Sequence, residues 1–418
     1  MDINNKKIEQ ENKDNIVNKL FFDKYYCVKK IGEGSFGNIY KGVYNGHHYA
    51  LKFEKKNQSK NFLEKEAIIM NYLKGPYIPN IKYYGSTSDY NILVMQLLGK
   101  NLENLFEIHN KRFSLKTVCM IGYQFVEILE YIHNKHILHR DIKPDNFVIG
   151  LNNLSKYIYL LDFGLAKKYR SSKTLKQIPL VNNQKIIGTM RYASINAIKG
   201  YEHSRRDDLE AAGYILISFI KGKLPWDGIH GKTKEERYEK ILKKKNISTK
   251  ELCKDLPEEF EKYIYYTRNL EYEEEPNYKM LKELFTIMIK KANCIFDYIY
   301  DWSTSEEILM RKIDVNKNEL ESCLNSKSTS LTSFRYIVNN NEEKKERSLN
   351  FTFHDENKTN LMYKFNNCNI NKNVNINERN KPLEDDDEAI ILPKKKDYLN
   401  TINDEEEIVC CSSVCNIF

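Results

Sequence analysis

The sequence predicts an α+β chain of two lobes, a small antiparallel-sheet lobe followed by a larger helical one. Three observations carry this. Between residues 25 and 54, short runs rich in aromatic and β-branched residues alternate with glycine-containing turns, the pattern of an antiparallel sheet. From Leu102 onward, apolar residues recur at helical spacing in longer stretches. After about Trp302 that periodicity stops, and Asn, Lys, Glu and Ser take over, a composition that cannot bury a core.

Taken in order, residues 1–22 are polar and read as a partly helical extension. Residues 25–31 (YYCVKKI), 38–44 (NIYKGVY) and 48–54 (HYALKFE) are three successive strands. A helix is predicted over residues 61–73, a strand over 92–95, and helices over 117–134 and 207–220. The tail holds an acidic run at residues 384–388 and is predicted to be disordered. No internal repeat is visible.

The 418 residues, 41% of them hydrophobic, suffice for a sizeable core and two or three domains or lobes. No apolar run approaches membrane-spanning length; residues 214–220 are among the longest. The polar N-terminus carries no secretory signal pattern, and Asp2 excludes N-myristoylation. Nine cysteines without a C-x-x-C pair point to reduced thiols in a cytosolic setting. Cys27, Cys119, Cys253 and Cys294 fall in apolar stretches as small core residues. The net charge of +8 is uneven: residues 304–418 carry −5 and the rest +13. A basic body suits anionic partners, the acidic tail among them. No basic helix or aromatic-interleaved stripe stands out, so nucleic acid is not an expected partner.

Chemistry is concentrated in His139-Arg140-Asp141-Ile142-Lys143-Pro144-Asp145-Asn146, followed by Asp162-Phe163-Gly164. Together these are two halves of one phosphoryl-transfer site. Asp141 is the candidate base or hydroxyl-orienting carboxylate. Lys143 can neutralise charge on a transferring phosphate, and Asn146 and Asp162 are candidate Mg²⁺ ligands. Thr189, in Gly-Thr-Met-Arg-Tyr, is expected to bridge Asp141 and Lys143. Asp208 heads an apolar helix, where its charge suits the helix N-terminus.

A glycine-rich stretch, Gly32-Glu33-Gly34-Ser35-Phe36-Gly37-Asn38-Ile39, lies between the first two strands. Its glycines let backbone N–H groups approach phosphate oxygens, as ATP binding requires. On the third strand, alternation puts His48, Ala50 and Lys52 on one face and Tyr49, Leu51 and Phe53 on the other. Ala50 can then line a base pocket while Lys52 reaches the phosphates. On the following helix Phe62, Glu66, Ile69 and Leu73 form one stripe, and a carboxylate on an apolar stripe needs a partner. Lys52 is the natural one; Glu64, on a stripe with Ala67, Ile68 and Asn71, is the rival.

At this point the chain resembles the casein kinase I family of Ser/Thr protein kinases. The resemblance rests on Lys143-Pro-Asp-Asn-Phe147, on Asp162-Phe-Gly-Leu-Ala-Lys-Lys-Tyr-Arg170 and on Ser194-Ile195-Asn196, which stands where other kinases have Ala-Pro-Glu. It also rests on Ser204-Arg-Arg-Asp-Asp-Leu-Glu210 and Leu224-Pro-Trp226. It covers about residues 25–302.

The resemblance implies a bilobal protein kinase fold over residues 23–303, with an N-lobe at 23–95, a hinge at 96–99 and a C-lobe at 100–303. It implies ATP and Mg²⁺ as cofactors. Met95 would precede the hinge, Gln96 and Leu98 would offer backbone hydrogen bonds to adenine, and Ile31, Ile39, Ala50 and Val148 would enclose the base. Asp208 would anchor the catalytic loop. The family phosphorylates Ser or Thr preceded three residues earlier by phosphate or acid, so the implied partners are protein substrates with acidic or phosphorylated clusters. Arg191 and Arg237 match the basic pocket that reads that group, with Gly228 as a backbone donor; Glu235 and Glu236 depart from the family's basic run. The chain is expected to act as a monomer. The competing readings are a catalytically silent scaffold of the same fold and a kinase fold acting on a small molecule.

Two expectations concern residues 304–418, read as a disordered acidic tail. Ser326, Thr329 and Thr332 stand three apart, as do Ser330 and Ser333, a spacing along which such a kinase could walk and then inhibit itself. The sequence closes on Cys415-Asn-Ile-Phe418, a Cys-a-a-X pattern that favours a geranylgeranyl group on Cys415, with Cys410 and Cys411 suited to palmitoylation. That predicts anchorage to the cytosolic face of a membrane.

Overall fold

β-Strands come first, and they assemble into one six-stranded antiparallel sheet. In this computed structural model, residues 16–34, 37–56, 61–171, 173–182 and 185–311 are described. The first fifteen residues of the expected N-terminal extension lie outside them, and so do the serine/threonine ladder, Cys410, Cys411 and Cys415.

The strands are β1 (Leu20–Phe21), β2 (Tyr25–Gly34), β3 (Gly37–Tyr44) and β4 (His47–Lys55), then, after helix α1 (Phe62–Tyr72), β5 (Ile81–Ser86) and β6 (Tyr90–Gln96). Their order across the sheet is β1-β2-β3-β4-β6-β5. β3 and β4 are joined by Asn45-Gly46, whose φ values of 48° and 75° are the left-handed pair a two-residue hairpin needs. β4 then pairs with β6, setting Ala50 opposite Met95 and Lys52 opposite Leu93.

Alternation along β4 separates two cores. Ala50 faces the main core, shared with α1 and the helical lobe. Leu51 and Phe53 face a second cluster with Tyr25, Cys27, Tyr40, Ile92 and Val94. On α1 the buried face is wider than the expected stripe: Glu66 and Ile69 are joined by Leu63, Ala67 and Met70, while Phe62 is only half-buried. The widening follows from α1 packing against β5, β6 and the turn at Phe163–Leu165 at once.

The helical lobe opens with α2 (Leu102–Ile108) and α3 (Leu115–Asn134). α3 starts two residues earlier than its apolar period predicts because the Ser114 side chain caps it, accepting from Thr117 N. Two short ribbons follow: β7 (Ile137–Leu138) pairs with β10 (Lys167–Lys168), and β8 (Phe147–Ile149) with β9 (Ile158–Leu160). Next come α4 (Ile195–Ile198), α5 (Arg205–Lys221), α6 (Lys234–Lys245), α7 (Thr249–Leu252), α8 (Glu258–Asn269) and α9 (Tyr278–Lys291). The Asp207 carboxylate starts α5 by accepting Ser204 N on Oδ2 at 2.7 Å, and Gly222, at φ 80°, ends it. α3 lies against α5 and α9. At Gly122 a Cβ would stand 2.4 Å from the Phe285 ring, so α3 and α9 meet at backbone range.

One boundary moves. The ordered chain does not stop at residue 303, since residues 305–311 are helical. Arg311 is the reason: it is buried and donates to Ser155 Oγ at 2.8 Å and Ser303 Oγ at 3.1 Å. The segment is too short to show apolar periodicity.

Candidate active site

The cleft side of the sheet supplies the first group. Gly34 pairs with Gly37 where the β2–β3 hairpin turns; Ser35 and Phe36 lie outside the described residues. Gly37 has φ 153°, and a Cβ there would fall 1.9 Å from Phe53 O, so only glycine fits this turn against β4. Ile39 packs over Gly32, and Ile31 is 43% exposed at the rim. Ala50, Met95 and Val148 are each buried, and Ala50 stands opposite Met95 across β4 and β6. Gln96 N–H is committed to Asn80 O at 2.8 Å, so what Gln96 can present to a ligand is its carbonyl. Leu98 follows in the irregular stretch between β6 and α2.

Lys52 Nζ lies 2.6 Å from Glu66 Oε2 and 3.6 Å from Asp162 Oδ1. Glu64, the rival, instead accepts from Asn61 Nδ2 at 3.4 Å near the surface. Burial works against the Lys52 charge, but Glu66 and Asp162 outweigh it and push the ammonium up to about 12. The Lys52 charge is therefore fixed, facing the glycine turn.

The catalytic loop hangs from α5. Asp208 accepts Arg140 N on Oδ1 and His139 N on Oδ2, each at 2.9 Å, and Oδ2 also accepts His133 Nε2 at 3.0 Å. Burial holds His133 below the usual imidazole range. Its Nδ1 lies 2.8 Å from Tyr278 Oη. The anchoring lets Arg140 sit at φ 65°, a strained value for a non-glycine.

The next residue, Asp141, is 7% exposed, with its two oxygens taken separately. Thr189 Oγ1 donates to Oδ1 at 2.8 Å and Lys143 Nζ to Oδ2 at 2.7 Å. The expected threonine bridge is thus one-sided: Thr189 reaches the aspartate, and the lysine takes the opposite oxygen. Gly188, at φ 88°, lets the threonine segment approach, since a Cβ there would be 2.4 Å from Arg140 O.

Two oxygen donors complete the cleft. Asn146 Nδ2 donates to Asp141 O at 2.8 Å, which leaves its Oδ1 as the ligand end. Asp162 has left-handed φ and ψ of 63° and 70°, and its buried Oδ1 has no hydrogen-bond partner. Burial opposes its charge, but Lys52 and Lys143 hold the carboxyl below the usual range. An ionised oxygen without a hydrogen bond, which Lys52 Nζ approaches at 3.6 Å, is a donor of the kind Mg²⁺ takes, an ion that needs few protein ligands and fills its shell with phosphate and water. Among the described residues no group of three His, Cys, Asp or Glu side chains could hold a metal, so a cation here would depend on a phosphate ligand.

On the far side of Thr189, the structure departs from the expected basic pocket. Arg191 is not free. Its Nε and Nη2 donate to Asp227 Oδ1 and Oδ2, both at 2.9 Å. Gly228 follows at φ 74°, with nothing within 4 Å of where a Cβ would stand, and Arg237 is exposed on α6. Sequence reasoning missed Asp227, although it directly follows Leu224-Pro-Trp226.

Lys245 was missed as well. It is fully buried, with Nζ donating to Ala193 O at 2.5 Å and Met190 O at 3.2 Å. It lies 4.7 Å from the Tyr214 ring and 4.8 Å from that of Trp226. Burial pulls its ammonium down to about 7. The signal was Ile241, a buried residue one turn earlier on the same face of α6.

Comparison with known protein families gives a match of residues 25–294 to the protein kinase domain.

Proposed function

The chain belongs to the protein kinase family, and from that premise we propose that it is an active Ser/Thr protein kinase using ATP and Mg²⁺. Within that class its acceptors carry a phosphate or acid three residues before the hydroxyl. The observation that carries catalytic competence is Asp141, with one oxygen held by Thr189 and the other by Lys143. A carboxylate so fixed can orient an acceptor hydroxyl and take its proton without reorganising. Bound Mg-ATP supplies the activated phosphoryl group and the metal charge. Lys52, held by Glu66, would position phosphate oxygens, while Asn146 and Asp162 would hold the metal. Lys143 faces the charge that develops on the transferred group. Lys52 with Glu66 and Asp141 with Lys143 and Thr189 are paired as transfer requires, and Asp162 keeps an oxygen without a hydrogen bond, which favours an enzyme over a silent scaffold.

Lys143 and Thr189 support hydroxyl acceptors of the Ser/Thr kind, and Arg191, Gly228 and Arg237 support an anion-reading pocket. The test uses the full chain with Ser, Thr and Tyr peptides and labelled ATP. Phosphate should appear on Ser and Thr. Asp141→Asn should lose at least about a thousandfold in kcat while still binding ATP, because the nucleotide cradle is untouched. Wild-type turnover by that variant would remove Asp141 from the mechanism, and incorporation only on Tyr would remove the Ser/Thr assignment.

A further inference from the structure

Arg191 stands two residues beyond Thr189, so its Cα is within about 7 Å of that of the residue bonded to the catalytic carboxylate. A substrate anion arriving here meets an occupied guanidinium. Asp227 holds the Nε–Nη2 edge of that guanidinium, both bonds at 2.9 Å, the bidentate geometry in which an arginine–carboxylate pair is strongest, so an incoming anion must displace it to take the same edge. The acid is itself held in place. Its Oδ2 accepts Leu224 N at 2.9 Å, and its own N–H donates to Leu224 O at 3.0 Å, closing a turn. Trp226 Nε1 donates to Arg191 O at 2.8 Å, tying that turn to the arginine's own backbone. Asp227 is therefore a tethered ligand of Arg191.

The tether decides which anions can compete. A carboxylate from a substrate would exchange one acid for another of the same charge and shape, while giving up the intramolecular advantage. A phosphate monoester brings about −1.5 to −2 charges and three acceptor oxygens, enough to cover the fork and draw on a second cation. Arg237 is exposed on α6 to supply it. Of the two acids before it, Glu236 is turned back onto Lys232 N and Lys240 and Glu235 is exposed, while Glu103 is a second acid whose charge acts on Arg191.

We propose that Asp227 is an internal competitor for the Arg191 fork and sets acceptor specificity. A phosphorylated residue three before the acceptor displaces it; an Asp or Glu at that place does not. This rests on the kinase reading given above and narrows its phosphate-or-acid acceptors to those carrying phosphate.

The test uses the full chain and three peptides that differ only at that position, carrying phosphoserine, Asp or Ala. For the wild type, kcat/KM should favour phosphoserine over Ala by about tenfold or more, with Asp within about threefold of Ala. In Asp227→Asn the Asp-to-Ala ratio should rise to about tenfold, and Asp227→Glu should return it to the wild-type value. Ratios taken within one protein cancel any loss of folded enzyme. A wild type that already favours Asp over Ala tenfold, or an Asp227→Asn ratio that does not move, overturns the proposal while leaving the kinase reading intact. No turnover with any peptide overturns the kinase reading and the proposal with it.

Discussion

His203 is buried to 9% exposure beneath the catalytic loop, where Arg140 and Lys167 disfavour its charge and Asp208 and Glu202 favour it. Burial and Arg140 win, and the imidazole is pulled down to about 4. An unfolded histidine titrates near 6.5. Between those two values the unfolded chain binds the extra proton, so stability contributed by neutral His203 is fully present above about 6.5. It is lost as pH falls toward 4, by on the order of 3 kcal/mol. His203→Gln removes this loss. The gap in melting temperature between wild type and variant should shift in favour of His203→Gln as pH is lowered from 7 to 5; a pH-independent gap would show that His203 titrates in the fold as it does in the unfolded chain. Residues of this kind were not legible in advance, because nothing in a linear sequence gives the depth of a histidine. Glu66 was legible for the opposite reason. It sits on an apolar stripe, and a carboxylate there demands a cation that only Lys52 could supply.

Elements matter here mostly through their ends. Asp208 lies in the first turn of α5, yet its two oxygens are spent on a different element, the backbone of His139 and Arg140, and on His133 in the last turn of α3. Asp208→Asn keeps the shape but turns an N–H donor toward groups that are themselves donors. It should cost about 2–4 kcal/mol in stability and lower kcat more than it raises the KM for ATP, because the catalytic loop moves while the glycine hairpin does not. Thermal melting and a kcat–KM split check this; an unchanged kcat would show that the loop is held by its other contacts. The strands β2 to β4 and helices α3 and α5 were readable because each is long, strongly patterned and bounded by a glycine turn or a serine cap. The pair Arg191–Asp227 was not: its members lie 36 residues apart on irregular segments without a period to align them. Lys245 closes a run of three lysines that looks solvated, and only the geometry of α6 turns the last of them inward.

For the whole molecule, the question is where the folded chain must end to be complete. The segment after α9 staples the start of α3. Asp301 accepts Ser114 N and Ser114 Oγ at 2.6 Å each and Thr117 Oγ1 at 2.9 Å, an acid placed at a helix N-terminus. Trp302 stacks on Tyr300 with centroids 4.7 Å apart and meets Phe113 edge-on at 5.2 Å. A boundary at 303 retains all of this, which is why the apolar pattern of the sequence finishes there. It discards Arg311, whose guanidinium bonds Ser155 and Ser303 and lies 5.7 Å from the Tyr300 ring. Without it, the buried Ser155 hydroxyl loses its charged donor, a loss of about 1–3 kcal/mol. A chain ended after Arg311 should therefore melt roughly 2–5 °C above one ended after Ser303, and Arg311→Ala in the longer chain should remove most of that difference. Equal melting temperatures for the two truncations would place the end of the folded unit at residue 303 and make the Arg311 contacts energetically silent.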